Sequence, residues 1–279
     1  MHVCAMPPCN ITAVPTQTLT PAGTEAHTDK LVVEEPLEIR IAFGSIAYRQ
    51  QMSLAVTMRT PGDDEDLVLG FLFTEGILQR VDQAREIRVL TENTLVVELD
   101  PALPVDKHRL TRHLFTSSSC GICGKASLDA VQTVSCYYPT RGYPRWKREL
   151  VFQLPSRLRL AQAAFEATGG LHATGLFDEQ GSLVLIREDV GRHNAADKVI
   201  GAALRKGETL PFRHYLMLVS GRASFELVQK AAMAGLPCLA AVGAPSHLAV
   251  EMAQEAGITL VGFLRGERFN VYSYPERII

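Results

Sequence analysis

The sequence predicts an α/β protein in which a mixed sheet flanked by helices follows a smaller N-terminal α+β unit. The clearest indication comes after residue 210, where continuous apolar stretches alternate with helical ones. Strands are expected there at 215–219, 237–242 and 258–263. The part before residue 100 differs, because its strands alternate apolar and polar side chains around a single helix.

Composition and local pattern divide the chain into four parts. Residues 1–30 are rich in Pro and Thr and are expected to form a disordered tail, with no export signal. A small α+β domain is expected over 31–115, and a mobile cysteine loop with its following helix over 116–138. An α/β domain for cofactor binding is expected over 139–279.

The small domain is predicted from strands at 31–41 and 52–58 and from a hairpin over 87–99. Between them, Thr60 and the following proline are typical of a helix N-terminus. The carboxylates over 63–66 suggest either a metal site or stabilisation of that helix N-terminus. We favour the second interpretation.

The predicted cysteine loop contains two closely spaced thiols in the stretch Ser117-Ser-Ser-Cys-Gly-Ile-Cys-Gly-Lys125. Cys123 is expected near the N-terminus of the helix that follows, where the helix dipole lowers the pKa of a thiol. The pair Cys120 and Cys123 is compatible with a zinc site, a redox dithiol or a sulfur carrier. The carrier fits best, because zinc needs more ligands and a thioredoxin-like dithiol needs a preceding βαβ strand.

The α/β domain begins with a basic, aromatic segment over 139–149, which could contact an acidic partner or form a solvated linker. A helix over 154–166 and strands over 172–178 and 182–187 follow. The remaining helices are expected at 196–204, 225–234 and 248–256, and a last strand at 269–272.

Four polar turns are expected at the carboxyl ends of these strands, where open α/β sheets bind ligands. They span 187–194, 220–224, 243–247 and 264–268, and they contribute Arg192, His193, Arg222, Arg265 and Arg268. Arginine side chains and helix N-termini suit phosphate groups, so this edge is predicted to bind a large phosphorylated ligand. His193 is compatible with a general base or a structural role, and Asp189 with a helix cap or a contact to a guanine base.

The overall composition excludes other classes of function. A formal net charge of −2 argues against general nucleic-acid binding, and no apolar stretch is long enough to span a membrane. We expect a cytoplasmic protein, because a chain of this size needs no disulfide framework. We also expect that it holds no metal ion tightly. Cys238 is expected to be a core thiol and Cys136 a structural residue.

Several motifs together resemble the FdhD family, the formate dehydrogenase accessory sulfurtransferases. Besides the cysteine loop they are Arg187-Glu-Asp-Val-Gly-Arg-His-Asn-Ala195, Ser220-Gly-Arg-Ala-Ser224 and Gly262-Phe-Leu-Arg-Gly-Glu-Arg-Phe-Asn-Val-Tyr272. Thr60-Pro-Gly-Asp63 and Gly70-Phe-Leu-Phe-Thr-Glu-Gly76 match as well, so the resemblance runs from about Glu35 to Tyr272. The turn Gly243-Ala-Pro-Ser246 departs from the family's Ser-x-Pro-Thr, which puts a hydroxyl contact there in doubt.

The resemblance implies a larger domain similar in fold to cytidine deaminases and a homodimer. It implies sulfur transfer from a cysteine desulfurase to the molybdenum cofactor in its bis-molybdopterin guanine dinucleotide form, for formate dehydrogenase. The family's persulfide cysteine falls on Cys120, with Cys123 assisting. Its cofactor-binding run falls on Phe263, Leu264, Arg265, Gly266, Glu267 and Arg268. A non-catalytic chaperone that binds and inserts the cofactor is the alternative. The desulfurase and dehydrogenase involved, the acceptor atom and the need for Cys123 stay open.

Overall fold

The computed structural model describes residues 10–106 and 137–279. Its strands are β1 (Ile11–Thr20), β2 (Gly23–Val32), β3 (Glu35–Phe43), β4 (Gln50–Arg59), β5 (Ala84–Thr91), β6 (Thr94–Leu99), β7 (His172–Phe177), β8 (Leu183–Asp189), β9 (Leu216–Val219), β10 (Cys238–Ala241), β11 (Thr259–Arg265) and β12 (Arg268–Ser273). Its α-helices are α1 (Asp64–Thr74), α2 (Arg148–Leu160), α3 (Ala163–Thr168), α4 (Arg192–Arg205), α5 (Phe225–Met233) and α6 (His247–Glu255).

A six-stranded mixed sheet organises the larger unit, with strand order β12-β11-β10-β9-β7-β8. Strands β9, β10 and β11 are parallel, whereas β12 is antiparallel to β11 and β7 is antiparallel to β9. Because β8 is antiparallel to β7, it runs in the direction of β9. The predicted mixed sheet with flanking helices is therefore confirmed.

The large sheet is covered on both faces, which explains why its strands are continuously apolar. In β9, Leu216 and Leu218 face one core together with α2, whereas Met217 and Val219 face a second core together with α4 and α5. This alternation is the two-residue period of a strand.

The smaller unit is a four-stranded sheet of order β4-β3-β6-β5, covered by α1. Helix α1 crosses α4 closely, because a Cβ added at Gly70 would lie 1.9 Å from the backbone oxygen of Asp197. A Cβ at Gly201 would lie 1.9 Å from that of Asp66. One continuous hydrophobic core includes the small sheet, α1, α4 and one face of the large sheet. The two units therefore support each other through a shared core.

The predicted disordered tail over 1–30 is wrong for its later part. Strands β1 and β2 pair in full antiparallel register from Ile11↔Val32 to Thr20↔Gly23. The threonines that indicated a mobile tail are β-branched and favour extended backbone, and the two residues 21–22 form the turn between the strands. Residues 1–9 lie outside the described part of the chain.

Two predicted helices begin and end differently in the structure. The expected helix over 154–166 is divided into α2 and α3, and α2 already begins at Arg148 because Trp146 pairs with the backbone of the C-terminal segment. Helix α1 begins at Asp64, and Thr60 accepts a hydrogen bond at its hydroxyl from Val190 N instead of capping the helix.

The acidic residues at the start of α1 form ion pairs with arginines. Asp64 binds Arg59, and Asp66 binds both Arg187 and Arg205 at 2.7 Å. No metal-binding cluster of His, Cys, Asp and Glu occurs among the residues that the structure describes. Within the same residues, no helix is long and apolar enough to cross a membrane.

Candidate functional site

The carboxyl ends of β8, β9, β10 and β11 lie at one edge of the large sheet, because these four strands run in the same direction. The four polar turns that follow them therefore lie side by side, as the sequence predicts. Helices α4, α5 and α6 begin directly after three of these turns. We call this edge, with its turns, the carboxyl edge.

Backbone hydrogen bonds join these turns into one platform. Gly243 N donates to the carbonyl of Gly221 at 2.9 Å, and Phe263 N donates to the carbonyl of Gly243 at 2.9 Å. Ser246 N donates to the carbonyl of Ala223 at 3.0 Å. The turns after β9, β10 and β11 are thus held relative to one another before any ligand binds.

The carboxyl edge is suited to anions. Three helix N-termini carry partial positive charge and backbone N–H groups without a partner inside the helix, although that of Ala249 in α6 donates to Ser246 Oγ. Arg192 lies in the first turn of α4, and Arg222 is exposed in the turn before α5. Among polar atoms without a partner in the described part of the chain is the buried Nε of Arg192. This guanidinium therefore keeps hydrogen-bonding capacity for a ligand.

The predicted cofactor-binding run 263–268 forms the tip of the β11–β12 hairpin. Arg265 pairs with Arg268 across the turn, and both side chains are exposed, as are Gly266 and Glu267. Phe263 has a positive φ of 54°, which is unusual for a bulky residue and indicates a backbone held by its surroundings. The Arg265 guanidinium lies 5.9 Å from the centre of the Phe263 ring.

Leu264 lies differently from the rest of that run. Its side chain is 0% exposed and belongs to the core between the sheet and α2. A ligand at the edge can therefore meet only the backbone of Leu264. Arg265 and Arg268, on either side of the tip, are the cations of this run that a ligand can reach.

The stretch Arg187-Glu188-Asp189, which belongs to a motif of the resemblance, connects elements of the fold. Arg187 binds Asp66 of α1. The Glu188 carboxylate accepts hydrogen bonds from the first N–H groups of α3, those of Ala164 and Phe165, and burial raises its pKa. These two residues position the strand end.

Asp189 is 0% exposed, so of its two predicted roles a contact at the start of the helix is favoured over a contact to a guanine base. Its carboxylate lies 2.8 Å from Nζ of Lys198, which is also 0% exposed. It accepts hydrogen bonds from the backbone of Gly191 at 2.8 Å and of Thr60 at 3.2 Å. Lys198 donates in turn to the Thr60 carbonyl at 2.8 Å. Asp189 therefore fixes the start of α4 against the small unit.

His193 is held by its neighbours at the carboxyl edge. Its Nε2 lies 3.0 Å from Oγ of Ser224 and 2.8 Å from Oε2 of Glu226. The hydrogen bond from His193 lowers the pKa of Glu226. Because Glu226 orients the imidazole, the arrangement joins the first turns of α4 and α5.

His172 is a residue of the carboxyl edge that the sequence analysis did not single out. It begins β7 and pairs with Asp189 at the end of β8, so the antiparallel pairing brings it to the carboxyl edge. Its Nδ1 would lie 3.3 Å from a Cβ at Gly221. Burial, together with the charges of Arg192 and His193, lowers its pKa, so the ring is neutral at neutral pH. The signal that could have found it is its place opposite Asp189 in the predicted hairpin.

Cys120 and Cys123 lie outside the described residues, so their roles stay predictions. Cys238 is fully buried in β10, and burial raises the pKa of its thiol to about 12. It is therefore an inert core residue, as the sequence predicts.

Comparison with known proteins identifies the family to which this chain belongs. The model of the FdhD/NarQ family matches residues 32–279. This chain belongs to the FdhD/NarQ family. "Sulfur carrier protein FdhD" from Streptomyces avermitilis is 52% identical over 266 residues, covering 92% of this chain and 91% of the relative. The protein of the same name from Saccharolobus solfataricus is 42% identical over 257 residues, covering 91% of this chain and 94% of the relative.

A solved structure confirms the fold of this FdhD/NarQ family member. A candidate formate dehydrogenase accessory protein from Desulfotalea psychrophila matches with a TM-score of 0.73 and 26% identity. The match covers 96% of this chain and 99% of the other. The cytidine-deaminase-like arrangement stays a prediction.

Proposed function

We propose that this protein is a sulfur carrier that delivers sulfur to the molybdenum cofactor of a formate dehydrogenase. Its relatives are named sulfur carrier proteins, and the sequence contains the Cys120 and Cys123 pair in a Gly- and Ser-rich stretch. In the reducing cytoplasm, where we expect the protein, such thiols stay available.

The first step of the proposed reaction loads Cys120. Its thiolate attacks the outer sulfur of a persulfide on a cysteine desulfurase, the S–S bond of the donor breaks, and the donor thiolate leaves. Cys120 then carries the sulfur as its own persulfide. No net oxidation occurs, because one S–S bond replaces another.

The second step releases the sulfur. Once the acceptor is bound, the Cys123 thiolate attacks the inner sulfur of the Cys120 persulfide, and the outer sulfur leaves as hydrosulfide for the cofactor. A disulfide between the two cysteines remains, and a cellular dithiol reduces it. Cys123 is thereby assigned the release of sulfur. In a carrier without that step, the outer sulfur of the Cys120 persulfide would be transferred directly to the acceptor.

The acceptor is proposed to bind at the carboxyl edge as substrate. The observation that carries this assignment is the convergence of three helix N-termini with the Arg265–Arg268 tip at one edge of the sheet. A guanine dinucleotide contains a pyrophosphate, and N–H donors and arginines of this kind bind phosphate groups. Arg192 and Arg222 extend the same cationic surface.

Binding of GDP, measured by calorimetry, tests the carboxyl edge. Arg268→Ala is expected to weaken GDP binding at least about tenfold, because a hydrogen bond to a charged group contributes about 1.5–3 kcal/mol. Arg80→Ala, an exposed arginine paired with Asp82 in the small unit, serves as the matched control and should bind GDP unchanged. Equal weakening by both variants would contradict the assignment.

The alternative function, cofactor binding and insertion without sulfur transfer, uses the same edge. It differs in predicting that a Cys120→Ser protein still activates formate dehydrogenase. We expect that variant to bind GDP normally and to give no active formate dehydrogenase in a strain that lacks the native protein.

A further inference from the structure

The large sheet has a second candidate site at its opposite edge. A cavity of about 390 Å³ lies there, with a lining that includes Tyr138, Tyr143 and Pro211 together with Arg213 and His214. Pro211 to His214 directly precede β9, so the cavity lies at the amino ends of the parallel strands. It is therefore separated from the carboxyl edge by the length of the strands.

A buried arginine holds one wall of the cavity in place. Arg277 is 0% exposed and donates to the carbonyls of Thr140 at 2.9 Å and of Tyr143 at 3.1 Å. It also donates to Oγ1 of Thr259 at the start of β11. The segment that carries Tyr143 is thus fixed to the sheet, and this wall exists before any ligand arrives.

The aromatic rim is also positioned by specific contacts. Oε1 of Glu179 lies 2.8 Å from Nδ1 of His214 and accepts a hydrogen bond from the Tyr143 hydroxyl at 3.4 Å. The Tyr143 and His214 rings meet edge to face, with centroids 6.1 Å apart. Tyr138 is nevertheless 74% exposed and Tyr143 48% exposed. A pre-positioned, exposed tyrosine such as Tyr143 is typical of surfaces that bind proteins.

The rim carries an excess of positive charge. Arg141 is neutralised by Glu276, and Glu179 is engaged by His214. Arg213 is exposed in the lining, and Arg145 bends back to donate to the Gly142 carbonyl. Neither Arg145 nor Arg213 forms an ion pair within the described ranges 10–106 and 137–279. A partner with carboxylates would meet two uncompensated cations.

We propose that this cavity docks an acidic peptide segment of a protein partner. A proline or aromatic side chain of that segment enters between the tyrosines, and its carboxylates contact Arg145 and Arg213. Tyrosine- and proline-lined grooves favour such extended segments, because the extended backbone is already populated in the free peptide. A phosphorylated ligand is disfavoured here, since helices α4, α5 and α6 direct their N-termini to the other edge.

This site goes beyond the function proposed above, because it concerns a different edge of the sheet. A partner bound here leaves the carboxyl edge free for the cofactor. The two sites can therefore be occupied at the same time, and each can be tested without the other.

The test is a fluorescence-anisotropy titration of the full-length protein with a dye-labelled peptide, Glu-Glu-Pro-Tyr-Glu-Glu. Arg213→Glu should weaken its binding about tenfold, and Tyr138→Ala should weaken it by about the same factor. Lys30→Glu makes the same charge change on the exposed strand β2, and Tyr48→Ala removes a tyrosine that is 78% exposed in the small unit. Both control variants should bind the peptide unchanged.

Two comparisons decide the result. A Lys-Lys-Pro-Tyr-Lys-Lys peptide should bind at least about tenfold more weakly than the acidic one. Equal binding of the two peptides, or equal loss in the test and control variants, would overturn the proposal. The proposal would also be overturned if GMP displaced the labelled peptide from the unaltered protein but not from Arg213→Glu, because the cavity would then be a nucleotide site. Peptide binding that persists in Arg268→Ala separates this site from the carboxyl edge.

Discussion

Replacing Lys198 by methionine should strongly destabilise the protein, because it leaves the Asp189 carboxylate buried without its cation. The two groups are 2.8 Å apart and both side chains are 0% exposed, so water cannot compensate. Loss of one partner of such a pair costs about 3–5 kcal/mol. Since domains of ordinary stability unfold with about 5–15 kcal/mol, this is a large part of the total.

Urea denaturation followed by circular dichroism measures the effect, with Asp189→Asn combined with Lys198→Met as the second variant. The double variant removes both charges and should be more stable than Lys198→Met alone by at least about 1 kcal/mol. It should also bind GDP as the unaltered protein does, because the Asp189 side chain is fully buried and is not itself accessible to a ligand. A loss below about 1 kcal/mol in Lys198→Met, or no recovery in the double variant, would refute this structural role.

Three further predictions concern other parts of the fold. His172 has a pKa below its usual 6.5, so its contribution to stability is present above that value and is lost as the pH falls through the folded pKa. His172→Gln should therefore flatten the fall in urea midpoint between about pH 7 and pH 5. Gly70→Ala should lower the free energy of unfolding by about 3 kcal/mol, because its Cβ would lie 1.9 Å from the backbone oxygen of Asp197. Gly170→Ala, with its nearest atom at 3.6 Å, should change it little. Cys238 should resist iodoacetamide at pH 8 until urea unfolds the protein, as peptide mapping would show, because the pKa of its thiol is raised to about 12.

The sequence was sufficient to predict the large sheet. Strand β9 and its neighbours are buried on both faces, and strands buried in this way appear in the sequence as continuous apolar runs. It also predicted that the turns bearing Arg192, Arg222 and Arg265 meet at one edge, since parallel strands end together. These inferences depend only on local pattern and strand direction.

The sequence was insufficient where a residue's role depends on a distant partner. Asp189 pairs with Lys198 and Thr60, and only the approach of the small unit shows that its carboxylate is buried. His172 reaches the site through the register of β7 against β8. The hairpin over 11–32 was missed because its composition also suits a disordered chain.

Loading of Cys120 with sulfur is the central claim of the proposed function, and intact-protein mass spectrometry tests it most directly. The protein is incubated with a cysteine desulfurase and cysteine and is analysed without reductant, beside the variants Cys120→Ser and Cys238→Ser. The mass should increase by one sulfur atom in the unaltered protein and in Cys238→Ser, and the increase should be absent in Cys120→Ser. An undiminished sulfur adduct on Cys120→Ser would contradict the assignment of Cys120 as the carrier.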